Sequence, residues 1–209
     1  MEPLTKVTGP AAVLRRTDVD TDVIIRIERL TGGDLDRLGD YAFEALRFLP
    51  DGSEDPTFPL NQDGWRGAPI LIAGANFGCG SSREGAVTAL AHLGLRCVIA
   101  ESFGDIFFAN CFQNGLLPVR LSGAAIVELM AISEQTREPF TVDLEAQLVV
   151  ASGGSRHAFE VDPIRRENLL AGLDDLGLTR RDEPTIREWQ VLDRHNRPWI
   201  WLPVTRESH

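Results

Sequence analysis

Between residues 69 and 121 short apolar runs alternate with helical patterns, and that alternation limits the folds open to the chain. PILIAG reads as a buried strand. SSREGAVTALAHLG reads as a helix, with Ala86, Leu90 and Leu93 on one face and Gly94 as its stop. RCVIAES is a second strand, GDIFFANCFQNG a second helix ending at Asn114-Gly115, and LLPVRL a third strand. Strands separated by helices of this length need crossover connections, and crossovers join parallel strands. The expectation is an α/β fold built on a mostly parallel central sheet.

The flanking segments have different textures. Residues 10–30 give a strand at AAVLRR, a turn at TDVDTD and the apolar VIIRI. Residues 31–67 are rich in Gly, Asp and Pro, and long irregular connections are often functional loops. Beyond residue 122, GAAIVELMAISEQTRE is a helix, and PFTVDLEAQLVVASGGSRHAFEV alternates as a small antiparallel meander. DPIRRENLLAGL is a helix with Pro163 in its first turn, and RDEPTIREWQVLDRHN is an exposed helix. Residues 1–209 form one domain, with a core over about 1–178 and a helical tail over about 179–209. Trp189, Trp199 and Trp201 lie in that tail, either packed on the body or forming a partner surface, where aromatics are enriched.

The 209 residues are enough for one substantial core, and the net charge of −10 is spread without a basic stripe. Nucleic-acid binding is therefore discounted. No apolar run reaches membrane-spanning length. The opening MEPLTKVTGPAAVLRRTDVDTD lacks a long apolar segment with a cleavage-like end, so a cytoplasmic protein is expected. The three cysteines, Cys79, Cys97 and Cys111, match no metal-binding spacing. The four histidines form no ligand pair at helical spacing, so no metal site is expected in this chain. Cys97, inside CVIA, reads as a core thiol.

GANFGCGSSREG, from Gly74 to Gly85, joins a strand to a helix and puts an arginine where the helix begins. It has a structural reading. Ser81-x-x-Glu84 has the form of a capping box, and the glycines shape the turn. It also has a functional one. Gly78 and Gly80 let backbone N–H groups approach a ligand, and Arg83 stands where the helix dipole disfavours a cation but an anion site needs one. The third glycine of a dinucleotide loop, the Gly-Lys-Ser/Thr of a phosphate loop and the G-x-S-x-G of a hydrolase elbow are all absent. A carboxylate or phosphate cradle with a hydroxyl beside it remains. A serine there serves as a base only if amides and a cation stabilise its alkoxide.

NFGCGSSRE (Asn76–Glu84) closely resembles the signature of the isopropylmalate dehydratase small-subunit family, within the aconitase superfamily. DVDTDVII (Asp18–Ile25), SFGDIFFANCFQNGLLPV (Ser102–Val119), VDLEAQ (Val142–Gln147) and GLDDLGLT (Gly172–Thr179) resemble further segments of that family in the same order. The resemblance implies the swivelling β/β/α domain of the aconitase type. It implies an active site shared with a large subunit that carries a 4Fe-4S cluster, and a small dicarboxylate substrate. Ser81 matches the catalytic serine that takes a proton from the carbon beside a carboxylate. Arg83 matches the substrate-carboxylate arginine, supported by Ser82 and Gly80, and Asp22 matches an acidic position at the rim. The implied reaction is the isomerisation of 2-isopropylmalate and 3-isopropylmalate by dehydration and rehydration, in leucine biosynthesis, with iron as the Lewis acid. Glu84 is expected to act as a cap and charge-balancing partner.

The sequence also departs from the family pattern. Gly85 stands where the family commonly has histidine, and Arg26 where it commonly has proline. The segment 27–43, which in this family carries substrate recognition, lacks the usual threonine-arginine-threonine-glycine-phenylalanine run. Arg26, Arg29 and Arg37 are its candidate recognition cations, with Arg26 open to being a solvated surface residue. Two alternatives follow: a related hydro-lyase subunit for a methylmalate, citraconate or homoaconitate-type acid, and a non-catalytic anion-binding module. The segment 27–43 is expected to lack order in the absence of the partner.

Overall fold

The computed structural model describes residues 1–32, 35–81 and 83–201. Its strands are β1 (Lys6–Gly9), β2 (Ala11–Leu14), β3 (Ile70–Ala73), β4 (Cys97–Ala100), β5 (Leu117–Arg120), β6 (Phe140–Asp143), β7 (Leu148–Val150) and β8 (Arg156–Ala158). They form two sheets of four strands each. β2-β3-β4-β5 is parallel throughout, in sequence order. β1-β6-β7-β8 is antiparallel. The parallel sheet and the meander follow the sequence expectation.

Every residue of β2, β3 and β4 is buried. Successive strand side chains point to opposite faces, so both faces of this sheet are covered, as is usual for a parallel sheet. The short helices α1 (Thr21–Ile24), α2 (Ile27–Thr31), α3 (Leu38–Tyr41) and α4 (Glu44–Arg47) precede β3. The crossover helices are α5 (Glu84–His92) and α6 (Asp105–Gln113), and α7 (Gly123–Thr136) packs on β2 and β3. Gly94, at φ 102°, follows the end of α5, and Gly115, at φ 71°, that of α6, conformations for which glycine is suited. α8 (Pro163–Ala171) starts at Asp162, whose side chain accepts from the N–H groups of Ile164 and Arg165.

The structure departs from the sequence expectation in β1 and in the segment 27–43. β1 was not expected: its register, with Val7 opposite Val142, adds a fourth strand to the meander. Pro10 separates β1 from β2, so the chain passes from one sheet to the other across a single residue. The segment 27–43, where described, is ordered into α2, a 3-10 turn over Leu35–Arg37 and α3. α3 seats on α5 so closely that a side chain at Gly39 would strike the backbone of His92 and Leu93.

The chain divides into two compact units, residues 1–173 and 174–209. At the start of the second unit Asp174 caps α9 (Asp175–Arg181) by accepting from Gly177 N–H at 2.7 Å. α10 (Glu183–Asn196) follows. Within this second unit Trp201 donates to Asp193 at 2.9 Å and lies under Arg194, whereas Trp189 and Trp199 are exposed.

Candidate active site

The loops after β2, β3 and β4 leave the C-terminal ends of parallel strands, where open α/β sheets place ligands. They are joined to one another. Asp20 and Cys79 form a parallel bridge, as do Phe77 and Phe103. Gly78 N–H donates to Val19 O at 2.7 Å, and Thr21 N–H to Cys79 O at 2.9 Å. Asp18 and Asn76 both have positive φ, at 53° and 58°, a region these two residue types tolerate. The Asn76 amide donates to the Asp18 carboxylate at 2.7 Å, and its N–H to the Ser102 hydroxyl at 2.8 Å.

Aromatic packing lies beneath the loop. Phe77 is fully buried and meets Phe107 edge-on at 5.5 Å between ring centroids. Gly78, at φ 70°, lies on the Phe107 ring so tightly that a Cβ would overlap it. Gly80, at φ 92°, has the Asp20 carboxylate where its side chain would be. These glycines are therefore required by packing before any ligand is considered.

The expected capping box does not form. α5 begins at Glu84, its N-cap is Arg83, and the Arg83 side chain makes no cap hydrogen bond. Ser81 is held instead by Thr21, a buried residue whose hydroxyl donates to the Ser81 carbonyl at 3.0 Å and lies 3.4 Å from the Ser81 hydroxyl. The Glu84 carboxylate accepts from the Asn114 amide at 3.2 Å rather than folding back as a cap. These tertiary contacts override the local motif. The Ala86 N–H donates to the Arg83 carbonyl at 3.1 Å, and the start of α5 is the positive pole of the helix.

Ser81 is exposed and Arg83 is half-buried. The Arg83 guanidinium is ion-paired with the Asp22 carboxylate. The structure thus brings Ser81, Arg83, Asp22 and Gly80 into one loop cluster. Ser82 lies outside the described residues. The three candidate recognition arginines differ in their partners. Arg29 is paired with Glu44 and stacks 4.2 Å from the Tyr41 ring centroid. Its hydrogen bonds hold the Glu44 carboxyl below the usual carboxylate range and raise the pKa of Arg29 itself. Arg37 pairs with Asp40 at 2.8 Å. Arg26 lies 3.6 Å from the Glu28 carboxylate, also acts on Glu44 through its charge, and lines a cavity of about 570 Å³ with Tyr41, Glu44 and Phe48.

Thr21 is the residue that sequence reading left without a role. Its place between Asp20 and Asp22, inside the DVDTD segment, was the available signal. The Cys79 thiol is pushed up by partial burial and by the nearby Asp20 and Asp18 carboxylates. Cys97 and Cys111 are fully buried, with thiols pushed far up by desolvation. Among the described residues no group of three His, Cys, Asp or Glu side chains is placed to hold a metal ion. With two cysteines sealed in the core, the residues present do not fit an iron–sulfur cluster. No helix among the described residues is long and apolar enough to cross a membrane.

Comparison with known proteins identifies the family. The family model of the aconitase C-terminal domain matches residues 1–124, and a LeuD model, LeuD_N, matches residues 127–163. A Rhodospirillum centenum protein named 3-isopropylmalate dehydratase small subunit is 50% identical over 200 residues, covering 95% of this chain and 98% of its own. A Rhodospirillum rubrum protein of the same name is 45% identical, covering 99% of each chain. The crystal structure of 3-isopropylmalate dehydratase (leuD) from Methanocaldococcus jannaschii superposes with a TM-score of 0.65 at 28% identity, covering 88% of this chain and 99% of its own. The fold, the order of the signature segments and these matches together show that the chain belongs to the 3-isopropylmalate dehydratase small-subunit family of the aconitase superfamily.

Proposed function

We propose that this chain is the small subunit of a 3-isopropylmalate dehydratase. With a large subunit that holds the iron–sulfur cluster, it interconverts 2-isopropylmalate and 3-isopropylmalate. The observation that carries the proposal is the exposed Ser81 beside Arg83, at the start of α5, in a chain of this family. Nothing in the described residues favours a different diacid.

Arg83 presents a planar fork suited to a carboxylate, and Asp22 holds it in the unliganded chain. Ser82 and the backbone at Gly80 complete the carboxylate site in this proposal. Ser81 Oγ takes the proton from the carbon beside that carboxylate. The C–H electron pair becomes the double bond as the hydroxyl leaves the neighbouring carbon. Rehydration returns the proton and hydroxyl to exchanged positions. The pole of α5 and the Arg83 charge stabilise the serine alkoxide that must accept the proton.

The test is an anaerobic assay of this chain with its large subunit, comparing 2-isopropylmalate with citraconate and homoaconitate-type acids. The highest kcat/KM is expected for 2-isopropylmalate, and preference for another acid would overturn the substrate. Ser81→Ala should lower kcat by about 10²–10⁴-fold, the usual span of proton-transfer catalysis. Full activity in that variant would overturn the assignment of the base.

A further inference from the structure

The start of α1 grips the serine loop residue by residue. Asp20 bridges Cys79, and its carboxylate lies where a side chain at Gly80 would be. Thr21 N–H donates to Cys79 O at 2.9 Å, and the Thr21 hydroxyl reaches Ser81. Asp22 pairs with Arg83. Three consecutive residues thus address the loop from 79 to 83, and the middle one addresses the candidate base.

Thr21 is 1% exposed, and it is one of four buried polar residues among those described. The other three are satisfied inside the fold. The Asn61 amide donates to the carbonyls of Arg47 and Asp55. Ser133 donates to Ala11 O and accepts from Trp65. Asp193 accepts from Arg197 and Trp201. Thr21 differs, because its one hydroxyl proton has two acceptors within reach: the Ser81 carbonyl at 3.0 Å and Ser81 Oγ at 3.4 Å. With Ser81 neutral the carbonyl is the better acceptor, since 3.4 Å is long for a bond between hydroxyls. Ionisation of Ser81 reverses that order. Hydrogen bonds to an ionised oxygen are shorter and about twice as strong as neutral ones, and low local dielectric strengthens them further.

We propose that Thr21 is a positioning residue for proton transfer at Ser81: its hydroxyl turns from the Ser81 carbonyl to Ser81 Oγ as the serine ionises. A hydroxyl proton rotates to suit its acceptor, so the turn needs no backbone movement. Thr21 keeps its own proton throughout and passes none to the substrate. It adds a neutral, preorganised donor to the Arg83 charge and the α5 pole, and so favours the alkoxide over the alcohol. The importance of this donor for turnover rests on the reading of Ser81 as the base, whereas the donor geometry stands without it.

Two readouts test the proposal. The first uses the full chain alone, with Ser81→Cys as a titratable probe that the Thr21 hydroxyl can reach across the same gap. The pH dependence of its alkylation by iodoacetamide is read by fragment mass spectra that separate position 81 from Cys79. Adding Thr21→Val should raise the apparent pKa of the thiol at 81 by about one pH unit, because a hydrogen bond to the charged form is lost. Adding Thr21→Ser instead should leave it where Ser81→Cys alone has it. The second readout is steady-state kinetics of the assembled two-subunit enzyme with Ser81 intact. Thr21→Val should lower kcat by roughly tenfold to a hundredfold, the span of one hydrogen bond to a charged group. KM should change little, as expected of an interaction made only in the transition state. Thr21→Ser should restore most of kcat. Should Thr21→Val not fold, Thr21→Ala, which removes the donor without adding a buried methyl group, takes its place with the same expected directions. An unmoved thiol pKa, or a rise in KM with kcat intact, would overturn the proposal and leave Thr21 as a peg for the peptide. If Ser81→Ala proves fully active, the reading of Ser81 as the base falls, and the thiol titration alone decides whether Thr21 donates to position 81.

Discussion

The carboxylate of Asp22 pairs with the guanidinium of Arg83, so the cation assigned to substrate is already oriented by a residue from the preceding loop. Arg83 is 18% exposed at its side chain and Asp22 53%, which leaves the pair reachable from solvent on the acid's side. Asp22→Asn should raise KM by up to about fivefold, because it removes the charge paired with Arg83, and a partly exposed ion pair contributes about 0.2–1 kcal/mol. Arg83→Lys should lower kcat/KM further, since an ammonium cannot replace a planar two-point donor. Steady-state kinetics of the assembled enzyme decides both, and unchanged constants in either variant would count against the pairing as a functional one.

Thr21 holds the peptide that carries Ser81. Thr21→Val keeps the shape, removes the donor and leaves the Ser81 carbonyl without its 3.0 Å partner. The loss should be about 1–3 kcal/mol of stability, or a fall of several degrees in Tm for a chain of this size. Activity should drop more than stability does, because the serine loses its fixed backbone. A variant with normal Tm and normal turnover would show that the loop is held elsewhere.

Cysteine chemistry separates the loop from the core. Iodoacetamide should label Cys79 alone in the folded chain, and more slowly than a free cysteine, because burial and the Asp20 and Asp18 carboxylates disfavour its thiolate. Cys97 and Cys111 should react only after unfolding. Mass spectrometry of the labelled peptides reads the order directly, and native labelling of Cys97 would contradict its complete burial.

The Arg29–Glu44 pair predicts a pH response where α2 meets α4. The Glu44 carboxyl is held down chiefly by the hydrogen bond from Arg29. Its folded-state pKa therefore lies below the unfolded value of about 4.3. A lowered folded pKa means the contribution is fully present above the unfolded value and is lost as pH falls through the folded one. Amide exchange in α2 and α4, corrected for its intrinsic pH dependence, should stay constant from neutral pH to about pH 5 and quicken below pH 4. Glu44→Gln should remove that step and, at neutral pH, quicken exchange toward the level the natural chain shows at low pH.

The parallel sheet was legible because each of its strands is a short apolar run followed by a helix with its own stop signal. β1 was not, because Lys6–Gly9 alternates weakly and its partner, Phe140–Asp143, lies far along the chain. The signature segments pointed to Ser81 and Arg83 through likeness. What they could not supply was geometry: that Thr21 and not Glu84 holds the serine loop, or that Gly78 and Gly80 are demanded by Phe107 and Asp20. Local motifs such as the capping box describe neighbours in sequence, and in this loop the deciding contacts come from residues 18–22 and 102–107.

Pro10 is the only residue between two strands that belong to different sheets. Gly9 is pressed against the Pro69 ring, immediately before β3. The N-terminal strand thus acts as a splice between the two sheets, with almost no slack. A chain built this way has no inexpensive partial opening that frees the meander alone, because peeling β6 from β1 strains the strand that edges the parallel sheet. Under native exchange the slowest amides of both sheets should open together, as one cooperative unit spanning the body of the protein.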